Sequence, residues 1–249
     1  VVNAGNANTC TGEQGELDAI AMCAAVAEGI GCDPREVIVA STGVIGRPLP
    51  VNRVTRAIAS AVAGLSQESG EAAARAIMTT DTVQKVSART LEVNGVTVTV
   101  GGMAKGSGMI APKLATMLAF ITTDAEIPSY ALQVLLRDAV NQTFNRVTVD
   151  GDTSTSDMVV VLANGAAKAG SLVPGSADYN AFADALREVC SDLARAIAED
   201  GEGATKFVTV HITGAPSSDD AEKAARTVAE SPLCKTAIFG GDPNWGRIA

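Results

Sequence analysis

The stretch covering residues 101–124 constrains the fold of this chain more than any other part of the sequence. It reads GGMAKGSGMIAPKLATMLAFITTD, with Lys105 alone among small residues in a loop that runs to Pro112. The apolar run over residues 114–121 predicts a buried strand, and it contains one hydroxyl near its start, Thr116. The sequence therefore predicts a first strand, a loop rich in glycine and proline, and a second strand that begins close to a threonine.

Thr116 is a candidate nucleophile of the kind that uses its own α-amine as the base. This chemistry requires a cut between Ala115 and Thr116, because only the cut frees the amine. An α-amine has an ordinary pKa of about 7.7 to 8.0, so a usable fraction is unprotonated near neutral pH. The alternative interpretation is a threonine that simply begins a strand, and this stretch alone does not separate the two.

Competing catalytic groups are scarce in the sequence. The one histidine, His211, lies in KFVTVHITG, where alternation predicts a strand over residues 207–212 with His211 on its more polar face. A catalytic triad needs an imidazole beside its nucleophile, and no such partner lies near His211 in sequence. The five cysteines are odd in number and widely spaced without a CxxC pair, which favours a reducing compartment and argues against a zinc site.

Charge and hydropathy exclude two classes of partner. The formal net charge of -9 argues against a nucleic-acid surface or an anionic-membrane anchor, since both need clustered Lys and Arg. No apolar run reaches the roughly 18 residues of a membrane span, and no signal-peptide pattern is present. We therefore expect a cytoplasmic protein that binds neither nucleic acid nor membrane.

Strand and helix patterns alternate along the chain, which predicts the α/β class. The Asn94-Gly95 pair predicts a hairpin whose second strand covers residues 96–100. Predicted helices cover residues 13–28, 52–65, 67–78, 129–141, 178–198 and 219–230, and further predicted strands cover residues 37–41, 147–149, 207–212 and 236–239. The longest helix carries an apolar face of Phe182, Leu186, Val189, Leu193 and Ile197, which predicts core residues.

Thr42-Gly43 follows the predicted strand at residues 37–41. A glycine after a strand lets backbone N–H groups turn toward a ligand, and such a pair can hold a developing oxyanion, with the Thr42 hydroxyl as an added donor. The alternative is an ordinary turn that ends a strand. Glu202 lies between two glycines, where its carboxylate could meet an amino group or simply be solvated.

Two familiar ligand motifs are excluded by their residues. A phosphate loop needs GxxxxGK[ST], whereas here Lys105 precedes Gly106. The segment DGDTSTSD at residues 150–157 begins like a calcium loop, but Thr155 replaces the required glycine and Val161 the required glutamate. The sequence predicts no nucleotide site, no metal site and a polar turn at residues 150–157.

Seven motifs, in order, carry a resemblance to a known family. They read VVNAGNANTCTG, STGVIG, MTTD, GGMAKGSGMIAPKLATMLAFITTDA, DGDTSTSD, EGATK and FGGDPNWGRI. The whole chain resembles the ornithine acetyltransferase (glutamate N-acetyltransferase) family of arginine biosynthesis. The resemblance implies the fold of DmpA-type aminopeptidases, with stacked mixed sheets and outer helices.

The resemblance also implies an activity. The precursor cuts itself at Ala115-Thr116 into an α-chain segment, residues 1–115, and a β-chain segment, residues 116–249. In the family, both segments are longer than they are in this sequence. The two chains remain associated as α2β2. The threonine takes the acetyl group of N-acetylornithine and passes it to glutamate without a cofactor, and the resemblance leaves open whether acetyl-CoA also serves as a donor. The implied oxyanion-hole residues are Thr42 and Gly43, and the implied substrate contacts are Thr79, Lys105, Thr116 and Glu202.

Two other functions are compatible with the same sequence. A hydrolase or aminopeptidase with a self-generated N-terminal threonine would release its product to water instead of to an amine. A non-catalytic α/β binding module would use Thr116 only as a structural residue. The fate of the acetyl group separates these alternatives.

Overall fold

The chain forms two compact units in the computed structural model, which describes residues 1–111 and 117–249. Unit 1 comprises Val1–Thr79 and Thr155–Met158, and unit 2 comprises Thr80–Ser154 and Val159–Ala249. None of the helices in these described ranges combines the length and the apolar character needed to cross a membrane.

Unit 1 begins with two parallel strands joined by a long helix. Strand β1 (Val2–Asn6) pairs with β2 (Ala40–Val44), and α1 (Gly12–Ile30) lies between them in the chain. Parallel strands need such a crossover because a tight turn cannot reverse the chain twice. Helices α2 (Val51–Ala63) and α3 (Gly70–Ala76) follow. The buried apolar centre of this unit consists of Met22, Leu49 and Ile58.

The larger sheet has four strands in the order β3-β4-β5-β6. These are β3 (Lys85–Val93), β4 (Val96–Lys105), β5 (Leu118–Thr123) and β6 (Met158–Ala163). Strand β4 runs antiparallel to both β3 and β5, so it occupies the interior of the sheet. The residues of the predicted loop therefore leave from the end of a central strand.

The predicted hairpin is confirmed, but its second strand is longer than predicted. Asn94 and Gly95 have φ of 49° and 75°, the left-handed geometry of a tight hairpin turn. Strand β4 does not stop before its two glycines and continues to Lys105. A Cβ on Gly102 would lie 3.0 Å from Leu193 Cδ1, so the missing side chain lets a helix pack closely on the strand.

Four α-helices accompany this sheet in the part of unit 2 that the structure describes. They are α4 (Ser129–Gln142), α5 (Ala177–Glu199), α6 (Ser218–Glu230) and α7 (Pro232–Gly240). The apolar face predicted for α5 is confirmed, because its five residues are at most 1% exposed. They pack in one core with the buried residues of β4 and β5. The α/β class predicted from the alternation is thus confirmed.

Several strand predictions are wrong. Residues 207–212 and 147–149 form no strand, and β2 begins three residues later than predicted. Alternation alone does not make a strand, because the backbone groups also need a hydrogen-bonded neighbour. Residues 236–239 lie in α7, which begins where the Ser231 hydroxyl accepts the N–H of Cys234 at 3.3 Å and Pro232 occupies the first helical position.

Candidate active site

The loop after β4 is held by the polar turn at residues 150–157. The Asp150 carboxylate accepts the N–H groups of Met109 at 2.6 Å and Ile110 at 2.9 Å. The Val149 N–H donates to the Ile110 carbonyl at 2.6 Å, and the Thr153 hydroxyl donates to the Ala111 carbonyl at 3.1 Å. The turn that was excluded as a calcium loop therefore fixes the path of the loop up to Ala111. Its role could not be found from the motif alone.

Lys105 is the last residue of β4, and it is 2% exposed. Leu118, the first residue of β5, lies opposite Lys105 in the antiparallel register. The next residue, Gly106, donates its N–H to Asp81 Oδ1 at 2.7 Å. A lysine is thus buried where β4 passes into the loop, a place that charged side chains seldom occupy unless they are paired.

Glu202 reaches the same loop from a distant part of the chain. Its N–H donates to the Ser107 carbonyl at 2.9 Å. A Cβ placed on Gly108 would lie 2.5 Å from Glu202 Cδ and 2.6 to 2.7 Å from its carboxylate oxygens. The carboxylate therefore rests directly on the Gly108 backbone, and only glycine leaves it room. In unit 2, Glu202 therefore packs on the loop that begins directly after Lys105.

A buried charge cluster lies beneath this loop. Lys85 Nζ is 2.7 Å from Asp81 Oδ1 and 2.6 Å from Asp200 Oδ2, and the Lys85 and Asp81 side chains are fully buried. Burial opposes ionisation of Asp200, but hydrogen bonds from Lys85 and Thr82 outweigh it, so the pKa of Asp200 lies below its ordinary value. The sequence analysis missed this cluster; its only local signal is Asp81 and Lys85 four residues apart in the chain.

Thr42 and Gly43 belong to unit 1 and lie inside β2, not in a turn after it. Thr42 is 1% exposed. Gly43 has φ of 129°, and a Cβ there would lie 2.3 Å from the Gly5 carbonyl carbon and 2.6 Å from the Asn6 nitrogen. Both the left-handed backbone and the close approach of β1 require glycine at this position. The predicted strand-ending turn is wrong, while the requirement for glycine has a clear structural cause.

Of the remaining predicted site residues, the structure describes Thr79 alone. Thr79 is exposed at the end of the first segment of unit 1, two residues before Asp81. Ala115 and Thr116 lie outside the described residues. Of the predicted site residues, Lys105 thus lies directly before the loop and Glu202 packs on it.

His211 and Cys190 lie apart from the loop. His211 is exposed and lines a cavity of about 560 Å³ in unit 2 to which no residue of the loop 106–111 contributes. Cys190 is buried in α5, and burial raises the pKa of its thiol to about 12, which leaves it protonated at neutral pH. In the described ranges, no three His, Cys, Asp or Glu side chains are grouped so that they could hold a metal ion.

Comparison with known proteins gives consistent matches. The ArgJ family matches residues 1–249. The arginine biosynthesis bifunctional protein ArgJ of Symbiobacterium thermophilum is 58% identical over 248 residues, covering 100% of this chain and 62% of that protein. Its namesake from Listeria monocytogenes is 53% identical over 250 residues, with the same two coverages. This chain therefore spans about 62% of the length of these curated relatives.

A solved structure agrees with the sequence matches. The crystal structure of arginine biosynthesis bifunctional protein argJ from Bacillus halodurans is 53% identical, with a TM-score of 0.51. The match covers 52% of this chain and 61% of that chain. It confirms the predicted fold class.

Proposed function

The chain belongs to the ArgJ family, and we propose that it acts as an acetyltransferase that moves the acetyl group of N-acetylornithine to glutamate through Thr116. The observation that carries the proposal is the packing of the Glu202 carboxylate on Gly108, in the loop that begins after the buried Lys105 and leads in sequence to Thr116. An amino-acid substrate carries both carboxylate and ammonium groups. A lysine directly before this loop and a glutamate packed on it supply one complementary charge for each.

The first proposed step is self-cleavage at Ala115-Thr116. Water is consumed in this hydrolysis, which leaves a carboxylate on Ala115, separates residues 1–115 from residues 116–249 and frees the α-amine of Thr116. The amine then lies on the same residue as the hydroxyl that it activates, so no histidine is required.

The second step is transfer of the acetyl group to the enzyme. The Thr116 hydroxyl oxygen attacks the acetyl carbonyl carbon while the α-amine takes the hydroxyl proton. The bond to the ornithine nitrogen breaks, that nitrogen receives the proton, and an acetyl ester of Thr116 is left. The amine of glutamate then attacks the ester, N-acetylglutamate departs, and the Thr116 hydroxyl regains its proton. Because one amide replaces another, the exchange needs no activated donor.

Thr42 and Gly43 are the proposed oxyanion-hole residues. The tetrahedral intermediates of both half-reactions carry a negative oxygen, and each preorganised donor to it contributes around 3 kcal/mol to the barrier reduction. Gly43 adopts a backbone conformation closed to other residues, as is common where backbone N–H groups serve a ligand.

Lys105, Thr79 and Glu202 are the proposed substrate contacts. Glu202 pairs with the α-ammonium or the side-chain amine of ornithine. Lys105 pairs with a substrate carboxylate, or lowers the proton affinity of the Thr116 amine through its like charge.

The two cut segments are proposed to stay together as α2β2, which native mass spectrometry would test.

Turnover by the full-length protein tests this function. The protein is incubated with N-acetylornithine, with and without glutamate, and the products are quantified. N-acetylglutamate formed only with glutamate supports the transferase. Acetate formed in both cases indicates a hydrolase with the same nucleophile, and no turnover with an uncut chain indicates a binding module. A parallel incubation with acetyl-CoA and glutamate tests the alternative donor.

A further inference from the structure

Among the residues that the structure describes, Lys85 is the buried lysine near the loop to which the proposed function gives no role. Its ammonium contacts Asp81 Oδ1 at 2.7 Å, Asp200 Oδ2 at 2.6 Å and the Val83 carbonyl at 3.4 Å. Its side chain has no exposed surface, and that of Asp200 is 6% exposed. The ammonium therefore joins the start of β3 to the residue that follows α5.

The two carboxylates paired with Lys85 are tied to the loop. Asp81 Oδ1, which contacts Lys85, also accepts the Gly106 N–H at 2.7 Å. The Asp200 carbonyl accepts the Ser107 hydroxyl at 2.6 Å. Both hydrogen bonds hold the loop at the residues directly after Lys105.

Glu202 is held through the same path. It lies two residues after Asp200, and its N–H donates to the Ser107 carbonyl at 2.9 Å. Ser107 is 2% exposed. Both its hydroxyl and its carbonyl are hydrogen-bonded to the segment that begins at Asp200. Asp200 and Glu202 are thus linked both through Ser107 and through the short chain between them, so a shift of Asp200 would also shift Glu202.

Stability alone does not account for a cluster of this kind. Buried ion pairs cost several kcal/mol of desolvation per ion, and apolar residues of similar volume often stabilise a protein as well or better. The same β3–α5 contact also contains Arg89, whose partly exposed guanidinium pairs with Glu188 and Asp192 at 2.7 Å each. Lys85 differs from Arg89 in one respect that bears on function, its connection to the loop.

We infer that Lys85 is a positioning residue, which sets the separation of Lys105 and Glu202 by fixing Asp81 and Asp200 against residues 106–108. This inference rests on the proposed function for the identity of the substrate, N-acetylornithine. The statement that Lys85 immobilises the loop does not depend on the proposed function. The two statements therefore have separate measurements.

The test compares variants of the full-length protein. Lys85→Met removes the ammonium at similar length, and Lys85→Met combined with Asp81→Asn keeps the net charge of the cluster at its original value. Arg89→Met is the matched control, because it removes a cation from the same strand and the same helix contact. Each variant is assayed below its unfolding temperature for KM and kcat with N-acetylornithine, and for amide hydrogen exchange over residues 105–110.

The expected result is a rise of about 10-fold or more in KM for both Lys85 variants, together with faster exchange at residues 105–110. Arg89→Met is expected to leave both quantities within about twofold, even if its unfolding temperature falls. A charge-balanced variant with unchanged exchange and KM would overturn the inference. If Lys85→Met prevents folding, Ser107→Ala decides in its place, and unchanged exchange and KM in that variant would overturn the inference equally.

Failure of the proposed function has a different signature. A wild-type protein that does not turn over N-acetylornithine contradicts the proposed substrate. The exchange comparison between the Lys85 variants and Arg89→Met still decides whether Lys85 fixes the loop.

Discussion

Replacing Gly108 by alanine is expected to displace the Glu202 carboxylate without unfolding the protein. The new Cβ would lie 2.5 Å from Glu202 Cδ, whereas carbon atoms in contact are separated by about 3.5 Å. The carboxylate must therefore retreat by about 1 Å, which a flexible side chain can do at little cost in stability. A shift of this size at a substrate-binding group costs up to about 100-fold in catalysis.

The energetic estimate gives the same range. A hydrogen bond to a charged group contributes about 1.5 to 3 kcal/mol, and its loss corresponds to about 10- to 100-fold in binding. We therefore expect Gly108→Ala to raise KM for N-acetylornithine by this factor, while the free energy of unfolding changes by less than about 1 kcal/mol. Steady-state kinetics and urea unfolding measure the two quantities.

Two comparisons test the reasoning behind this prediction. Gly101→Ala, inside β4, is the control, because its Cβ would meet no atom within 4 Å, and it should leave KM unchanged. Glu202→Ala should reproduce the defect of Gly108→Ala, and the double variant should be no worse than Glu202→Ala alone. A normal KM for Gly108→Ala, or additive defects in the double variant, would refute the proposed contact.

Three further changes have defined outcomes. Gly43→Ala should lower the free energy of unfolding of unit 1 by at least about 2 kcal/mol in chemical unfolding. Gly46→Ala, where the backbone is strained but the surrounding space is open, should lower it by about 1 kcal/mol. Equal losses of unfolding free energy in the two variants would contradict the clash with β1. The pKa of Asp200 is lowered in the folded protein, so the stability that the Asp200 carboxylate contributes is complete above about pH 4 and is lost as the pH falls through the folded pKa. Asp200→Asn should therefore flatten the acid-unfolding curve below about pH 4. An unchanged curve would contradict the ionised state proposed for Asp200. Thr116→Ala should yield one uncut chain without acetyl transfer, and two fragments in its mass spectrum would contradict the proposed cleavage.

Local patterns were sufficient to predict much of the fold. The apolar face of α5 and the Asn94-Gly95 hairpin depend on residues within one element, and both are confirmed. Strands depend on partners elsewhere in the chain. Residues 207–212 alternate correctly but pair with no strand among the described residues, so their pattern predicted a strand wrongly. The sequence contains helix signals at Ser231 and Pro232, but the apolar residues that follow led to the prediction of a strand instead of a helix.

The site was predictable only in part for the same reason. Lys105 and Glu202 could be selected from their glycine-rich surroundings and from the family resemblance. Their support could not be selected, because the contact of Lys85 with Asp200 joins residues 115 positions apart and that of Met109 with Asp150 joins residues 41 apart. No local pattern in a single sequence encodes such pairs.

The most direct test of the central claim is the mass of the fragment that begins with Thr116 after brief exposure of the full-length protein to N-acetylornithine without glutamate. An acetyl-Thr116 intermediate adds about 42 Da to this fragment, and the addition disappears when glutamate is supplied. A fragment whose mass never changes, in a preparation that forms N-acetylglutamate, would contradict the covalent mechanism.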